Sequence, residues 1–459
     1  MEALTQIVTD INSFLWGIYF LIPLLCGTGI YFTFKLRFVQ VRKFVLAGKI
    51  LCGGATLFGK KADAASGMSS FQALATAIAA QVGTGNVAGT ATALVMGGPG
   101  ALFWTVVAAF FGMATIFAEA VLAQKFKTKD DSGHVIGGPA YYIMNGLGSK
   151  KLAMFFSVSI IIALGFIGNM VQANSIADAF HTAFGVNKML VGIVVAFLAG
   201  LIFFGGIGRI ASVTEKMVPV MAGLYLLGGF SVLFMYYDML IPALKMIVVG
   251  AFDPQAVIGG TAGVTIKEAM RYGVARGLFS NEAGMGSTPH AHAVAKVLHP
   301  AQQGLVAMFG VFTTVMIVSI TALVILVTGV ADGSTTGITL TQNAYKVGLG
   351  SMGLTFVAVC IFFFAFSTIV GWYFFAEQNV KFLFGHKGIT PYRGVVLLFL
   401  VLGYTLNVNL VWQLADMFNG FMVLPNLIAL VALSKIVASV LEDFDEKTRV
   451  FKSDQVDTQ

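Results

Sequence analysis

The sequence predicts an all-α polytopic membrane protein of about eleven transmembrane helices. The second and seventh are expected to be discontinuous, within a five-plus-five inverted repeat. Three observations carry this expectation. Only 11% of the 459 residues are charged and 57% are hydrophobic, whereas a soluble domain carries about 25% charged residues. Mean hydropathy is +0.86, and apolar stretches of roughly 20 residues, the length that crosses hydrocarbon, recur along the whole chain. Two of those stretches, five spans apart, are interrupted by glycine-rich runs.

The spans are expected near 13–34, 69–96, 100–123, 152–175, 188–206, 217–237, 269–296, 304–329, 351–380, 391–408 and 412–434. Turn signals separate them, at GGPG (97–100), DDSG (130–133) and ADGSTTG (331–337). The mixed segment 238–268 is expected to hold a short helix on or in the outer face. The organisation is one transmembrane domain: a first helix at 13–34, five-helix units over 69–237 and 269–434, and a tail over 435–459. Glu2 and Asp10 precede the first apolar run, with no basic n-region or small-residue cleavage site, so that run is expected to remain as a helix.

Charge sets the orientation. If the loop after the first span is cytoplasmic, that side holds 22 of the 28 basic residues, leaving Lys188, Lys245, Lys267, Arg271, Arg276 and Lys346 elsewhere. The positive-inside rule then puts the N-terminus outside and the C-terminus in the cytoplasm, with an odd number of spans. The net charge of +7 is scattered through short loops and is not a nucleic-acid footprint. Cys26, Cys52 and Cys360 have unrelated spacings and form no disulfide framework. The sequence has no P-loop, nucleophile elbow or zinc motif, which excludes ATP as the energy source and argues against an enzyme; no cofactor is expected. His290 and His292 are two apart and point to different faces of a helix, so they make no metal site.

The interrupted spans carry the chemistry. Ala79–Gly89 reads AAQVGTGNVAG and Gly277–Gly286 reads GLFSNEAGMG. In the predicted topology they run in opposite directions, as an inverted repeat requires, and such paired breaks mark a transporter's binding site. Glycine in a helix interior costs about 1 kcal/mol relative to alanine, and freed backbone groups at membrane depth need a cavity or a ligand to receive them. The N-terminus after a break favours an anion such as a carboxylate. Carbonyls before it suit a hard cation. Close packing by small residues is the plain alternative for each glycine. Glu282 either serves coupling or braces unwound backbone. Ser367 and Thr368 in the ninth span either ligate a cation or back-bond to their own helix. Asn169, Gln172 and Asn174 either bridge helices or read a solute. Asp178 and His181 are expected in an outer loop, and Glu119 and Glu377 near cytoplasmic helix ends in interfacial pairs. Residue chemistry alone stops at an anion-bearing solute and a hard cation.

The run GGPGALFW from Gly97, continuing through Gly112, resembles the signature of the sodium:alanine symporter family, also called the alanine or glycine:cation symporters. That signature often continues Phe-Trp-Met-Trp, where this chain has Thr105 and Val106 in the last two places. The stretches QVGTGNVAGTATAL, GGPAYYI, GNMVQANS, RGLFSNEAGMGS and GWYFFAEQ are also family-like, so the likeness covers nearly the whole chain. The resemblance implies a leucine-transporter-type fold with one extra N-terminal helix. It also implies Na⁺-coupled symport of small neutral amino acids, alanine and glycine, across the cell membrane. By motif position it brings a zwitterionic solute to Gln81, Thr84, Gly85, Asn169, Phe279 and Trp372. It brings Na⁺ to the carbonyls of Ala79, Val82 and Phe364 and the hydroxyls of Ser367 and Thr368. Asn86 aligns with a residue that holds a second Na⁺ in related folds, or else supports the break. Proton coupling, and a channel or sensor on the same scaffold, are the competing readings.

Overall fold

A computed structural model describes residues 2–17, 19–52, 67–256, 264–331, 333–404 and 408–456. Lys60, Lys61, Asp332, the stretch 257–263, the end of the span expected at 391–408 and the last three residues of the tail lie outside the described residues. The architecture is helical throughout. The helices are α1 (Glu2–Leu15), α2 (Leu21–Lys35), α3 (Phe44–Cys52), α4 (Ser70–Gln81), α5 (Thr90–Gly97), α6 (Gly100–Lys125) and α7 (Pro139–Leu147). Next come α8 (Lys150–Phe184), α9 (Lys188–Phe203), α10 (Gly206–Met235), α11 (Tyr237–Phe252), α12 (Ile266–Asn281) and α13 (Pro289–Ala293). The remainder are α14 (Pro300–Val327), α15 (Gly337–Leu349), α16 (Met352–Phe384), α17 (Ile389–Leu402), α18 (Val408–Ala432) and α19 (Ser434–Val456).

Six of these are long and apolar enough to cross a bilayer. The shorter α2, α9 and α17 and the two broken spans α4–α5 and α12–α13 bring the spans among the described residues to eleven. Exposed apolar side chains such as Phe197, Leu227, Phe234 and Ile241 stud the outside of the bundle; such a surface belongs in lipid. The same order of elements occurs twice. A short helix (α3, α11) precedes a broken span, then a long helix (α6, α14), another short one (α7, α15) and three more spans. The two broken spans are antiparallel. At the end carrying the Lys/Arg-rich loops, hereafter the basic end, β1 (Met68–Ser69) pairs in parallel with β4 (Ala295–Lys296), joining the start of one to the finish of the other. At the opposite end Gly97 packs on Tyr272 and the carbonyl of Glu268.

Several local expectations give way. The first apolar stretch is two helices: Pro23 sits in the first turn of α2, where its missing N–H is harmless, and α1 precedes it separately. The sixth span starts at Gly206, not near 217, because nothing in the polar residues 206–216 terminates a helix. The mixed segment after it does hold a helix as expected, the 16-residue α11. Helix α15 went unpredicted because GITLTQNAYKVGL is too polar to read as a span; it is amphipathic and buries Ile338, Leu340, Ala344 and Tyr345. Asp178 and His181 are not in a loop: α8 continues through them to Gly185, which takes the left-handed conformation that ends it.

Candidate functional site

The first break begins where α4 stops at Gln81, with Val82 at φ −94°, ψ 82°. Its freed amides are claimed by side chains. Gly83 N–H donates to Asn86 Oδ1 (3.1 Å) and Thr84 N–H to Gln172 Oε1 (3.2 Å) on α8. A wide π-helical turn, Gly85–Gly89, resumes the span. The second break begins at Glu282, a non-glycine residue at φ +56°, and alternates left-handed residues at Gly284 and Gly286. A left-handed L-residue costs roughly 1–2 kcal/mol, so Glu282 is held there by its surroundings. Its carboxylate accepts from the Ser287 hydroxyl and from Trp372 Nε1 (2.7 Å).

Glu119 supplies the main support of this loop. It accepts from the N–H groups of Gly284 (3.0 Å) and Gly286 (2.9 Å) and from Asn426 Nδ2 (2.7 Å). Asn426 also donates to Gly284 O and accepts from the Tyr142 hydroxyl. This corrects the expected interfacial position of Glu119. It is fully buried because the N–H groups of Gly284 and Gly286 in an unwound loop need an acceptor inside the protein. Glu377, by contrast, is paired as expected, with Lys381 at 3.0 Å and Arg393 at 3.7 Å.

The two breaks meet. Gln81 Nε2 donates to Asn281 O (2.7 Å), and a Cβ on Gly85 would lie 3.2 Å from the Phe279 ring. Phe279 stands edge-on to Trp372 at 6.3 Å, with Trp412 on its other flank at 6.0 Å. Gly168, beside Asn169, packs on the Trp372 ring. Gln81, Thr84, Gly85, Asn169, Phe279 and Trp372 therefore surround one place. Six buried polar atoms around it have no partner in the protein: Gln81 Oε1, Thr84 Oγ1, Asn86 Nδ2, Asn169 Oδ1, Ser280 Oγ and Asn281 Nδ2. Native proteins leave few such groups per hundred residues, and these six lie on the two breaks and the adjoining stretch of α8.

Beside it is a cluster of oxygens. Ser367 Oγ lies 3.1 Å from Ala79 O and 2.9 Å from Phe364 O. Thr368 Oγ1 lies 2.9 Å from Ala79 O and 3.0 Å from Phe364 O. Both hydroxyls are fully buried and back-bond to Phe364 O of α16 while also donating to Ala79 O of α4. Val82 closes α4 next to them. Neutral oxygens gathered in this way have the chemistry that can replace the hydration shell of a hard cation. Gly83 is required by the approach: a Cβ there would stand 2.5 Å from Thr368 Oγ1. Asn86 spends its carbonyl oxygen on Gly83 N–H.

At the end opposite the basic loops, cavities of about 300 and 610 Å³ are both bordered by Thr92 and Arg276; Phe279 lines the first and Trp412 the second. Arg276 of α12 pairs with Asp416 of α18, two N···O distances of 3.4 Å, and lies 5.8 Å from the Trp412 ring. Trp16 Nε1 of the N-terminal helix donates to Asp416 O (2.9 Å). Toward the basic end every residue from 277 to 295 is buried. Sequence reasoning missed Arg276, Asp416, Trp412 and the role of Glu119. The available signal was that each charged member is isolated in an apolar or broken span.

This is the build of a helical secondary transporter, with two broken antiparallel spans enclosing a polar site at mid-depth. The sodium:alanine symporter family matches residues 1–458, and the chain belongs to that family; it is a sodium-coupled amino-acid symporter and a multi-pass membrane protein, not an enzyme. It is 44% identical to the sodium/alanine symporter AgcS of Methanococcus maripaludis, over 96% of this chain and 97% of that one. It is 41% identical to the probable sodium/glutamine symporter GlnT of Bacillus subtilis, over 98% and 93%. It is 40% identical to the putative sodium/proton-dependent alanine carrier protein YrbD of the same organism, over 97% and 93%. Among solved structures, a manganese transporter of Eremococcus coleocola shares the fold at TM-score 0.51, with 13% identity over 76% of this chain and 74% of that one.

Proposed function

We propose that the protein imports alanine or glycine together with Na⁺ by alternating access, with the N-terminus outside the cell membrane and the basic end in the cytoplasm. The observation that carries this reading is the cluster of six unpartnered polar atoms walled by Phe279 and Trp372 and adjoining the oxygen cage. The solute carboxylate meets the resumed helix at Thr84 and Gly85, where the unpartnered Thr84 hydroxyl and Asn86 Nδ2 and the positive end of the helix favour an anion. The ammonium meets acceptors, Gln81 Oε1 and Asn169 Oδ1. The two aromatic rings leave room for a small side chain. Na⁺ sits among Ala79 O, Val82 O, Phe364 O, Ser367 Oγ and Thr368 Oγ1, drawing α16 onto α4 beside the break that receives the solute. Ion and solute thus each raise the other's affinity by one common factor. The five-helix units 69–237 and 269–434 then move against each other.

The test is labelled alanine accumulation in proteoliposomes under an inward Na⁺ gradient, with choline as the substitute cation. Accumulation requires Na⁺ on this reading, and the double change Ser367→Ala, Thr368→Ala abolishes the stimulation. Normal Na⁺-dependent uptake in that variant would remove the ion assignment. Competition by unlabelled glycine but not glutamine separates a small-solute site from one like that named for GlnT. A proton-coupled reading draws on Glu119 and Glu282, buried carboxylates that form no salt bridge among the described residues. Accumulation driven by a pH gradient without Na⁺ favours it. Flux without accumulation favours a channel.

A further inference from the structure

A cavity of about 290 Å³ opens at the basic end, where α10 begins, α16 ends and α17 begins. Gly206, Ile207 and Gly208 of α10, Gln378 and Lys381 of α16, and Arg393 of α17 border it. Its volume is at the lower edge of small-ligand sites, about 300–1,000 Å³. No side chain caps α10, whose N-cap residue is Gly205. The first-turn N–H groups of a helix have no intrahelical partner, and they form the positive end of its dipole. Two glycines in that turn leave an anion free to approach.

A second observation is independent of the helix end. Gln378 is buried to 1% exposure, yet neither its Oε1 nor its Nε2 has a partner in the protein. Stranding a buried amide is costly, and here it borders an open cavity. Charge in the wall favours an anion: Lys381 and Arg393 share one carboxylate, Glu377. On the rim His386 and His134 share Asp130, at 3.0 and 3.6 Å. Arg393 also lies over the ring of Phe204 at 5.6 Å. Phe204 and Phe384 are both about two-thirds exposed at the ends of their helices, which leaves apolar surface beside the cavity for lipid to cover.

We propose that this cavity binds a phosphate-class anion, and that its source in the membrane is the head group of a glycerol-bearing anionic phospholipid. Phosphate oxygens take the N–H groups of Gly206–Gly208, Gln378 Nε2 and Lys381 Nζ. Gln378 Oε1 needs a donor, which a glycerol hydroxyl supplies and a bare phosphate supplies less readily. Because α10, α16 and α17 all border the cavity, its occupant holds the basic end of these three helices together.

The experiment is thermal melting of the purified full-length protein in detergent. The added probes are dioctanoyl-phosphatidylglycerol, dioctanoyl-phosphatidylcholine, inorganic phosphate, and chloride at matched ionic strength. Phosphatidylglycerol is expected to raise Tm above the other three. Gln378→Leu, which breaks no bond within the protein, is expected to weaken that response about ten-fold, the equivalent of one lost hydrogen bond to a charged group. A response to inorganic phosphate as large as that to phosphatidylglycerol overturns the lipid source and keeps the anion site. No response to either, or a response unchanged in Gln378→Leu, overturns the site. Native mass spectrometry of the wild-type protein gives a readout independent of any variant: retained phosphatidylglycerol supports the proposal, and equal retention of phosphatidylcholine contradicts it.

Discussion

At the scale of single residues, the site depends on a few atoms that no substitute reproduces. Gly83 is one. A methyl group there would collide with Thr368 Oγ1 at 2.5 Å, and the contact is a rigid one, between a helix break and a packed β-branched side chain. Gly83→Ala is expected to leave the protein in the membrane while sharply weakening Na⁺ stimulation, measurable as the Na⁺ concentration for half-maximal uptake. Glu119 is another. Replacing it by alanine strands the N–H groups of Gly284 and Gly286 and the amide of Asn426. Each buried donor left unpaired costs about 1–3 kcal/mol, so melting in detergent should fall and uptake should be lost. Glu119→Gln is expected to fail as well, since one end of its amide is a donor facing donors. An uptake-competent Glu119→Ala would show that the loop at 282–288 does not depend on this brace. The motifs around Gly83 and Glu282 were legible in the sequence because glycine and charge are conspicuous inside apolar runs. The partnership of Glu119 with residues 165 and 167 positions away was not, because spacing carries no information about which helix faces which.

At the scale of elements, legibility followed composition. Spans with uninterrupted apolar windows fell within a few residues of expectation, as for α6, α14 and α16. Helices whose residues are mixed escaped, because amphipathic pieces such as α1 and α15 are stabilised by the neighbours they pack on. Their capping chemistry was readable only afterwards. Ser69 with Gln72, and Thr265 with Glu268, form reciprocal capping boxes at the starts of the two broken spans. Thr265→Ala is expected to cost about 1 kcal/mol, seen as a lower Tm. The hairpin of β2 (Thr128–Lys129) and β3 (Val135–Ile136) makes a pH prediction. Burial pushes the Asp130 carboxyl up, but the His134 amide, the His386 ring and the Ser132 amide together hold it below the usual carboxylate range. A depressed folded pKa contributes stability above the unfolded value of about 3.9. That contribution is lost only as pH falls through the folded value. Protease cleavage between 126 and 138 should therefore be slow and constant from neutral pH down to mildly acid conditions, and faster in Asp130→Asn.

At the scale of the whole molecule, the cavities beside Phe279 and Trp412 open toward one end, while residues 277–295, on the way to the other, are buried. The Arg276–Asp416 pair borders the open cavities beside Phe279 and Trp412 and ties α12 to α18. Removing one partner, as in Asp416→Ala, is expected to let solute leave again from that side. Exchange of labelled alanine should then outpace net accumulation relative to wild type. Unchanged exchange and accumulation together would count against a gating role. The charge asymmetry read in the sequence is visible as the basic end, but the Arg276–Asp416 pair at the other end lies outside that bias.

The short ladder between β1 and β4 has a consequence for how the protein is made. Its strands lie more than two hundred residues apart, and it holds the beginning of the first broken span against the finish of the second. Gln81 at the start of the break also leans on Asn281, and Gly83 on Thr368, which is synthesised later still. Until those arrive, the first half enters the membrane with a broken helix and no partner for it. Non-local contacts of this kind form late and slowly. A chain stopped after α11 should therefore reach the bilayer yet be cleared by membrane proteases, and co-expressing the missing half should rescue it.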